Sequence, residues 1–586
     1  MAGADRSTAV KAALLCLAMV AGTNPLQEGR QRSHPIPSSA GLVSSQDRHA
    51  SAAGMAMLNK GGNAIDAAVA ASYALAVTLP QAGNLGGGGF LVFWNQPEQR
   101  GYALNFREMA PKRAHRDLFL NPDGSVNRER ATSSLLSSGV PGTVAGLLKA
   151  HDRFGTLPRQ VVMEPAIRLA REGFRVGPIL ARSLRRAQPR LGRDPTARQL
   201  FYKSSGAPYA AGELLQQPEL ARTLQGIADN GHSGFYAGPV AQRLVTLMHE
   251  GGGLINHNDL TSYRAIWVEP VEGTFQGHRV LSMPPPSSGG VTLIQMLNLL
   301  EPLELQAMGL NSADGIHTLA EAMNLAYRDR NALLGDPDQI AVPTEHLISK
   351  AYAAQLRRSL NPQRHTPSEQ LGGVAPLPAN SSNTTHLSVA DPQGSLVALT
   401  TTLNFAYGNG IAIPGTGVLL NNEMDDFTAR PGAANAFGLI QGQRNAIAPG
   451  RRPLSSMTPT VVLRPDGSPW FATGSPGGSR IITTVLQVVL NRIVHGLNLS
   501  MAVLSPRVHS QLWPDALQIE QGISADTIRL LKQRGHTVKP SRAMGSANSV
   551  ELGPKGGSLG VADPRRPEGA AEPAPPLLPP AQKKSR

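Results

Sequence analysis

The amino-acid sequence predicts a large α+β protein, in which helices and antiparallel strands occupy different stretches of the chain. Residues 44–80 are alanine-rich and helical in pattern, and residues 140–375 are mostly helical in texture. After residue 382 the pattern changes to strand alternation, and it returns to helix at 479–497. With 586 residues, 41% hydrophobic and 16% charged, the chain can bury a sizeable core and is too long for one small domain.

The N-terminus has the pattern of a secretory signal. Arg6 and Lys11 precede an eleven-residue apolar run that ends in small residues, too short for a stable membrane-spanning helix. We interpret residues 1–22 as a signal peptide and 23–37, which are polar and contain proline, as a linker. The only cysteine, Cys16, lies in the signal, so no thiol, disulfide or cysteine-ligated metal is expected in the mature chain. We expect a periplasmic or secreted bacterial protein, with retention of the N-terminus as an anchor as the alternative.

The alanine-rich stretch predicts two packed helices. Gly61 and Gly62 interrupt it, and Asn63 and Asp66 are suitably placed to begin the second helix. Small side chains on both helices allow close packing.

The formal net charge of +14 raises the question of nucleic-acid binding. Residues 175–198 contain seven arginines and one acid, but no aromatic side chains lie between them for base stacking. A solvated basic helix face is favoured, and no nucleic-acid partner is expected. In an exported protein this face can also attract anionic surfaces or acidic substrates.

Residues 383–404 predict a β-hairpin. Pro392 and Gly394 suit a three-residue loop, which places Asp391 opposite Ser395 and Thr384 opposite Thr402. Facing side chains share one side of the sheet, so Thr384, Thr402 and Asn404 are expected on the same face. From the hairpin alone, two interpretations remain open. The threonines pair across the sheet as ordinary strand residues, or one of them is a nucleophile with a hydroxyl partner.

Other short motifs supply polar groups of several kinds. No phosphate-binding loop, serine-hydrolase elbow or zinc motif is found. Glycine amides before a helix can stabilise an oxyanion. The candidates are Glu423 and Asp426 in "NNEMDDF", Ser455 and Ser456 in "RPLSSMTPT", and Gly477 and Gly478 in "SPGGSR".

These motifs, with "NTTHLSVAD", "NFREMAP", "PGTVAG" and "MPPPSSGG" in this order, resemble the γ-glutamyltransferase family over residues 38–562. The resemblance implies an N-terminal-nucleophile hydrolase fold, a four-layer αββα sandwich with two stacked antiparallel sheets. It also implies a precursor that cuts itself into a large subunit, 38–383, and a small subunit, 384–562, which remain together as a heterodimer. The proline-rich tail, 563–586, is expected to be disordered. No metal or organic cofactor is implied.

The same resemblance assigns roles residue by residue. Cleavage falls between Asn383 and Thr384, and Thr384 becomes the nucleophile, with its own α-amine as base and Thr402 orienting its hydroxyl. The remaining assignments are Arg107, Ser455 and Ser456 for the donor carboxylate, Asn404, Glu423 and Asp426 for its α-ammonium, and Gly477 and Gly478 for the oxyanion.

The implied reaction is transfer of a γ-glutamyl group, from glutathione or a related donor, to water or to an amino acid or peptide. One departure from the family pattern is Phe437, which stands in the lid where a tyrosine is common, so a lid hydroxyl contact to Asn404 is not expected. A glutaryl (cephalosporin-type) acylase of the same fold is the nearest alternative. A catalytically silent basic surface-binding protein is the alternative from another class.

Overall fold

The computed structural model describes residues 34–372, 383–433, 435, 439, 441–554 and 556–573. The predicted signal peptide, 1–22, and the linker up to residue 33 lie outside this part of the chain. Among the helices of the described residues, none combines the length and the apolar character needed to cross a bilayer.

One sheet, which we call the hairpin sheet, contains the predicted hairpin. All neighbouring strands in it are antiparallel. Thr384 pairs with Thr402 and Ala390 with Leu396, so the predicted register is confirmed. Gly394 closes the loop with φ +92°, a conformation that suits glycine. In spatial order the strands are Ala570–Pro573, Leu42–Ser45, Thr384–Ala390, Leu396–Thr402, Gly88–Asn95, Arg100–Phe106 and Ile266–Val268.

The second sheet also has seven antiparallel strands and stacks on the hairpin sheet. Between the sheets lies an apolar core to which both contribute, for example Phe90 and Leu396 from the hairpin sheet and Val461 and Val550 from the second. In spatial order its strands are Ile36–Ser38, Ser558–Val561, Ser549–Leu552, Pro469–Thr473, Thr460–Leu463, His278–Ser282 and Val271–Phe275.

Helices cover the outer face of each sheet, so the predicted four-layer αββα architecture is confirmed. The hairpin sheet is covered by Arg48–Asn59, Ala64–Thr78, Thr143–Phe154, Arg159–Glu172, Pro178–Leu191, Pro218–Asn230 and Pro239–Glu250. The second sheet is covered by Gly289–Leu300, Ala313–Leu333, Lys350–Arg357 and Arg480–Ile493. The short helices are Arg128–Ser133, Leu135–Ser137, Pro195–Phe201, Ser233–Tyr236, His257–Ser262, Leu305–Met308, Thr344–Leu347, Ser368–Leu371, Glu423–Asp426, Gln443–Asn445, Leu499–Leu504 and Ala525–Gln533. The minor strands are Phe174–Arg175, Leu214–Leu215, Ala412–Ile413, Val418–Leu419, Val508–His509, Leu517–Ile519 and Val538–Pro540.

The predicted boundary between the two alanine-rich helices is also confirmed. Asn63 accepts a hydrogen bond from the Asp66 amide at 3.1 Å, and Asp66 accepts one from the Asn63 amide at 3.0 Å. This reciprocal capping box satisfies amides that the first helical turn leaves unpaired.

Two predicted boundaries at the chain ends are wrong. Residues 563–573 are ordered: Asp563 is buried and binds Arg507 at 2.6 Å, and Ala570–Pro573 forms an edge strand beside Leu42–Ser45. Proline is tolerated on such an edge, where one side of the backbone needs no partner. Likewise, the linker predicted to reach residue 37 ends earlier, because Ile36–Ser38 pairs with Ser558–Gly560. The rest of the tail, 574–586, lies outside the described residues.

Candidate active site

Thr384 lies at the start of its strand, with Thr402 directly opposite. The Thr384 hydroxyl donates to Thr402 Oγ1 at 3.3 Å, and the Thr402 hydroxyl donates to the Asn383 carbonyl at 3.3 Å. The Asn404 amide also donates to Thr402 Oγ1 at 2.8 Å. The Thr402 hydroxyl thus accepts two hydrogen bonds and donates one, and it links the Thr384 hydroxyl to the Asn383 carbonyl.

The turn after Thr402 holds this arrangement in place. Asn404 has φ +73°, a left-handed conformation that asparagine tolerates better than most residues. Its carbonyl accepts from the Asn383 amide at 3.0 Å, and its side chain donates to the Asn422 carbonyl at 2.9 Å. The turn therefore holds the Asn383 backbone through the Asn404 carbonyl and is itself tied to Asn422 by the Asn404 side chain.

Arg107 follows the strand Arg100–Phe106 and is fully buried. Its guanidinium donates to Asp426 at 2.5 Å and makes a short hydrogen bond with Glu423. Both acids lie in the short helical turn Glu423–Asp426. A guanidinium with its donors in a fixed fork suits this two-sided binding.

Three carboxyl groups surround this single guanidinium, since Glu108 lies 3.4 Å from Arg107. Burial raises the pKa of Glu108 to about 7 and raises the pKa of Glu423 well above its usual range, against the opposing effect of Arg107. No described N–H or O–H donor reaches Glu108 Oε1 or Glu423 Oε2. The negative charge of Asp426 also raises the pKa of both groups, because a nearby like charge disfavours ionisation.

Ser455 and Ser456 face the same cavity from the other side. Ser455 Oγ accepts from the Met457 amide at 3.1 Å, and Ser456 Oγ accepts from Arg330 at 3.0 Å. Arg330 is 1% exposed and also donates to Ser288 and Asn331, both at 2.9 Å. Burial without a directly bound acid among the described residues lowers the pKa of Arg330 to about 10, so it remains a cation at neutral pH.

Gly477 and Gly478 precede the helix Arg480–Ile493, as predicted, with φ +138° and +59°. Neither amide donates a hydrogen bond to another group within the described part of the chain. The two donors are therefore available to an oxygen that develops negative charge beside Thr384.

Two cavities meet at Thr384 and Ser479. The smaller one, about 20 Å³, we call the acyl cavity. The larger one, about 1260 Å³, we call the basic cavity; it borders Asn383, Thr384 and Gly477. The acyl cavity is lined by Arg107, Arg330, Thr384, Thr402, Asn404, Glu423, Asp426, Ser455, Ser456 and Gly478, together with apolar neighbours.

The structure thus brings together every predicted site residue that it describes, with Gly477 on the basic-cavity side. Phe437, predicted as the lid, lies outside the described residues. Glu108 and Arg330 are missing from the sequence-based set. Glu108 adjoins Arg107 in "NFREMAP", which is a local signal, whereas Arg330 belongs to a long helix and its sequence neighbours give no indication of a site.

The described residues contain a group with metal-ligand chemistry elsewhere. Ligand atoms of His317, Glu321 and His536 lie within 4.8 Å of one another. However, His317 Nδ1 and His536 Nε2 are hydrogen-bonded to each other at 2.8 Å, and none of the three residues lines either cavity.

Comparisons with known proteins agree with this geometry. The chain is 46% identical to the glutathione hydrolase proenzyme of Escherichia coli K12 over 91% of each chain. The solved cephalosporin acylase from Bacillus halodurans superposes with a TM-score of 0.81 at 26% identity, covering 92% of this chain and 97% of that one. The γ-glutamyltranspeptidase of Helicobacter pylori is 41% identical with a TM-score of 0.56, covering 57% of this chain and 96% of that one.

The family model described as gamma-glutamyltranspeptidase matches residues 50–573, nearly the whole described chain. The match includes most strands of both sheets and every site residue named above. The chain therefore belongs to the γ-glutamyltranspeptidase family.

Proposed function

We propose that this protein is a proenzyme that cuts itself between Asn383 and Thr384 and then acts as a γ-glutamyltransferase and glutathione hydrolase. The large part, 38–383, and the part beginning at Thr384 remain together as a heterodimer. The N-terminal sequence favours action in the periplasm or outside a bacterial cell. The observation that carries the proposal is the hydroxyl chain from Thr384 through Thr402 to the Asn383 carbonyl, at the edge of a charged cavity.

In the self-cleavage step, Thr384 Oγ attacks the carbonyl carbon of Asn383. A C–O bond forms and the peptide C–N bond breaks, so that the nitrogen becomes the free α-amine of Thr384. Water then hydrolyses the ester and leaves Asn383 with a carboxylate. The Thr402 hydroxyl, 3.3 Å from that carbonyl, is in position to polarise it.

After cleavage, the same oxygen attacks the γ-carbonyl of a donor. The freed α-amine accepts the hydroxyl proton, for which its ordinary pKa of about 7.7–8.0 is suitable. The γ-glutamyl group becomes an ester on Thr384, and the amine of the donor leaves with a proton. Water or an acceptor amine then cleaves the ester. The Gly477 and Gly478 amides stabilise the oxyanion in both halves of the reaction.

The charges of the acyl cavity match those of a glutamyl head group. Arg107 and Asp426 pair with each other at 2.5 Å. A substrate that carries both an α-carboxylate and an α-ammonium can exchange this one ion pair for two. The carboxylate would bind Arg107, Ser455 and Ser456, and the ammonium would bind Asn404, Glu423 and Asp426. Arg330 supports the carboxylate side through Ser456.

The similarity to a solved cephalosporin acylase keeps glutaryl substrates as the second candidate. A glutaryl group has a carboxylate but no ammonium. It would leave Asp426 and Glu423 facing a methylene group, which is unfavourable for buried charge. The acid cluster therefore favours a γ-glutamyl donor.

Purified precursor provides the test. Without added protease it should convert into two chains, the smaller with 203 residues (586 minus 383) and an N-terminus reading Thr-Thr-His. Thr384→Ala should remain uncut and inactive towards γ-glutamyl-p-nitroanilide. Thr385→Ala is the matched control, because the Thr385 hydroxyl has no partner among the described residues and its loss should leave cleavage intact. A small chain that begins at another residue would overturn the assignment of Thr384.

A further inference from the structure

The basic cavity begins where the acyl cavity ends, at Thr384 and Ser479. If the acyl group of a donor fills the acyl cavity, its carbonyl lies at Thr384. The amine half of the donor must then extend away from that carbonyl, towards the basic cavity. The incoming acceptor amine uses the same approach, because it attacks the same carbonyl.

Basic side chains greatly outnumber acidic ones in the wall of this cavity. Three arginines come from one helix, Pro178–Leu191, and four cations come from segments near the C-terminal end of the fold. Among the described residues of the wall the only acid is Glu568, which accepts a hydrogen bond from the Ile179 amide at 2.7 Å at the start of that helix. The seven basic residues are Arg182, Arg186, Arg190, Arg480, Lys539, Arg542 and Arg566.

No acid of the described residues binds these cations directly. Across the described part of the chain, none of the seven forms a salt bridge. Burial lowers the pKa of Arg190 and of Arg566; for Arg566, the charge of Asp563 opposes this effect and that of Arg182 adds to it. With seven cations and one acid in the wall, the cluster therefore has a net positive field that an anionic ligand would relieve.

The spacing of the three arginines along the helix explains why all of them line the cavity. Arg182, Arg186 and Arg190 follow one another at intervals of four residues, so they share one face of the helix. Like charges at this spacing destabilise a helix slightly, so helix stability does not account for them. Arg185 lies on the same helix and is exposed, but it does not line the cavity.

We propose that the basic cavity is a subsite for the amine half of the donor and for the acceptor, and that it selects acidic peptides carrying several carboxylates. The cavity volume of about 1260 Å³ exceeds what a dipeptide needs and accommodates a chain of several residues. This inference rests on the proposed γ-glutamyl transfer at Thr384. It assigns the basic helix to substrate selection.

Two matched donors test it: γ-Glu-Asp-Asp-Asp and γ-Glu-Asn-Asn-Asn, with γ-glutamyl-p-nitroanilide as a donor without an anionic leaving group. For the wild type we expect kcat/KM to favour the aspartyl donor by at least about tenfold at low salt, and the preference to shrink as salt rises. Arg182→Gln/Arg186→Gln should remove most of the preference through KM while p-nitroanilide turnover stays near wild type. Arg185→Gln, with a charge change on the same helix, should retain it.

A second double variant, Lys539→Gln/Arg542→Gln, changes cations that line the cavity from another segment. It should reduce the same preference, and it provides the test if the first variant folds poorly. Equal turnover of the two peptide donors by the wild type would overturn the proposal, as would an equal loss in Arg185→Gln. A failure of the underlying γ-glutamyl chemistry looks different, because the p-nitroanilide would then not be turned over at all.

Discussion

Two clusters of charged side chains join the part of the chain before the proposed cleavage point to the part after it. In the first, Arg107 from the preceding part binds Glu423 and Asp426 from the following part. In the second, His365 from the preceding part binds Asp515 from the following part at 2.8 Å. Each places one buried cation between two or more acids, but only the first lies on a cavity beside Thr384.

The second cluster contains a cation that can titrate. His365 donates to Glu321 at 2.7 Å and to Asp515, so both ring nitrogens carry protons. Although burial alone lowers it, these two carboxylates raise the pKa of His365 to about 9. Burial, followed by the positive charge of His365, lowers the pKa of the neighbouring His536 to about 3. Burial also lowers the pKa of His317, and the positive charge of Arg534 lowers it further.

The difference shows how one electrostatic arrangement can serve two purposes. Arg107 keeps its charge at any pH that the protein tolerates, and its acids face a cavity where a ligand can replace them. His365 is surrounded by protein, lines neither cavity and loses its charge in alkaline solution. We therefore expect the first cluster to govern turnover and the second to govern stability and the association of the two parts.

The largest expected effect is that of Asp426→Asn. If Asp426 binds the α-ammonium of the donor, the variant leaves a desolvated cation with a weaker partner, a loss of about 2–5 kcal/mol. Arg107 keeps Glu423 and Glu108, so folding and self-cleavage should continue. The quantity to measure is the ratio of kcat/KM for γ-glutamyl and glutaryl p-nitroanilides, which should fall by at least about tenfold.

The glutaryl substrate serves as the internal control for this prediction, because it has no ammonium to lose. If both substrates decline equally, Asp426 stabilises the site without recognising the ammonium. The argument against an acylase would then lose its main support.

The second effect concerns His365 and pH. Its pKa is raised on folding from an ordinary value near 6.5 to about 9, so the folded chain retains a proton that the unfolded chain has released between these values. The contribution, about 3 kcal/mol, is complete below pH 6.5 and is lost as pH rises through 9. In the uncut Thr384→Ala background, His365→Gln should lower Tm at pH 7 and flatten its decline between pH 7 and pH 9.5.

The control is His257→Gln, since His257 is exposed at the start of a short surface helix. This variant should retain the wild-type decline of Tm with pH. An unchanged pH profile in His365→Gln would show that the second cluster does not couple protonation to stability, and the comparison between the two clusters would fail.

Local signals in the sequence were sufficient for much of this structure. The hairpin register followed from Pro392 and Gly394, because loop length fixes which residues face each other. The boundary at Asn63 followed from capping chemistry. The four-layer architecture came from the family resemblance, since neither periodicity nor composition specifies how sheets stack.

Features that depend on distant segments could not be predicted in this way. His365 and Asp515 are separated by 150 positions, and Arg330 and Ser456 by 126. The edge strand Ala570–Pro573 was hidden by a proline-rich composition, because its pairing depends on Leu42–Ser45 at the other end of the chain. Periodicity reports which face of an element is buried, and it does not report which other segment covers it.

The smallest expected effect concerns Arg330, a buried cation that departs from the pattern of both clusters. It lines the acyl cavity, and its hydrogen bonds among the described residues go to the neutral oxygens of Ser288, Asn331 and Ser456. A cation of this kind is available to the carboxylate of a donor, and a hydrogen bond to a charged group contributes about 1.5–3 kcal/mol. Arg330→Gln should therefore raise KM for γ-glutamyl-p-nitroanilide by about tenfold or more, with self-cleavage retained.

The 4-aminobutyryl analogue lacks the α-carboxylate, so its turnover by Arg330→Gln should change little. Arg328→Gln, on the partly exposed side of the same helix, should change the turnover of neither substrate. If Arg330→Gln slows both substrates equally, the arginine only holds the Ser288 and Ser456 loops together, and the carboxylate is bound by Arg107 and the serines without it.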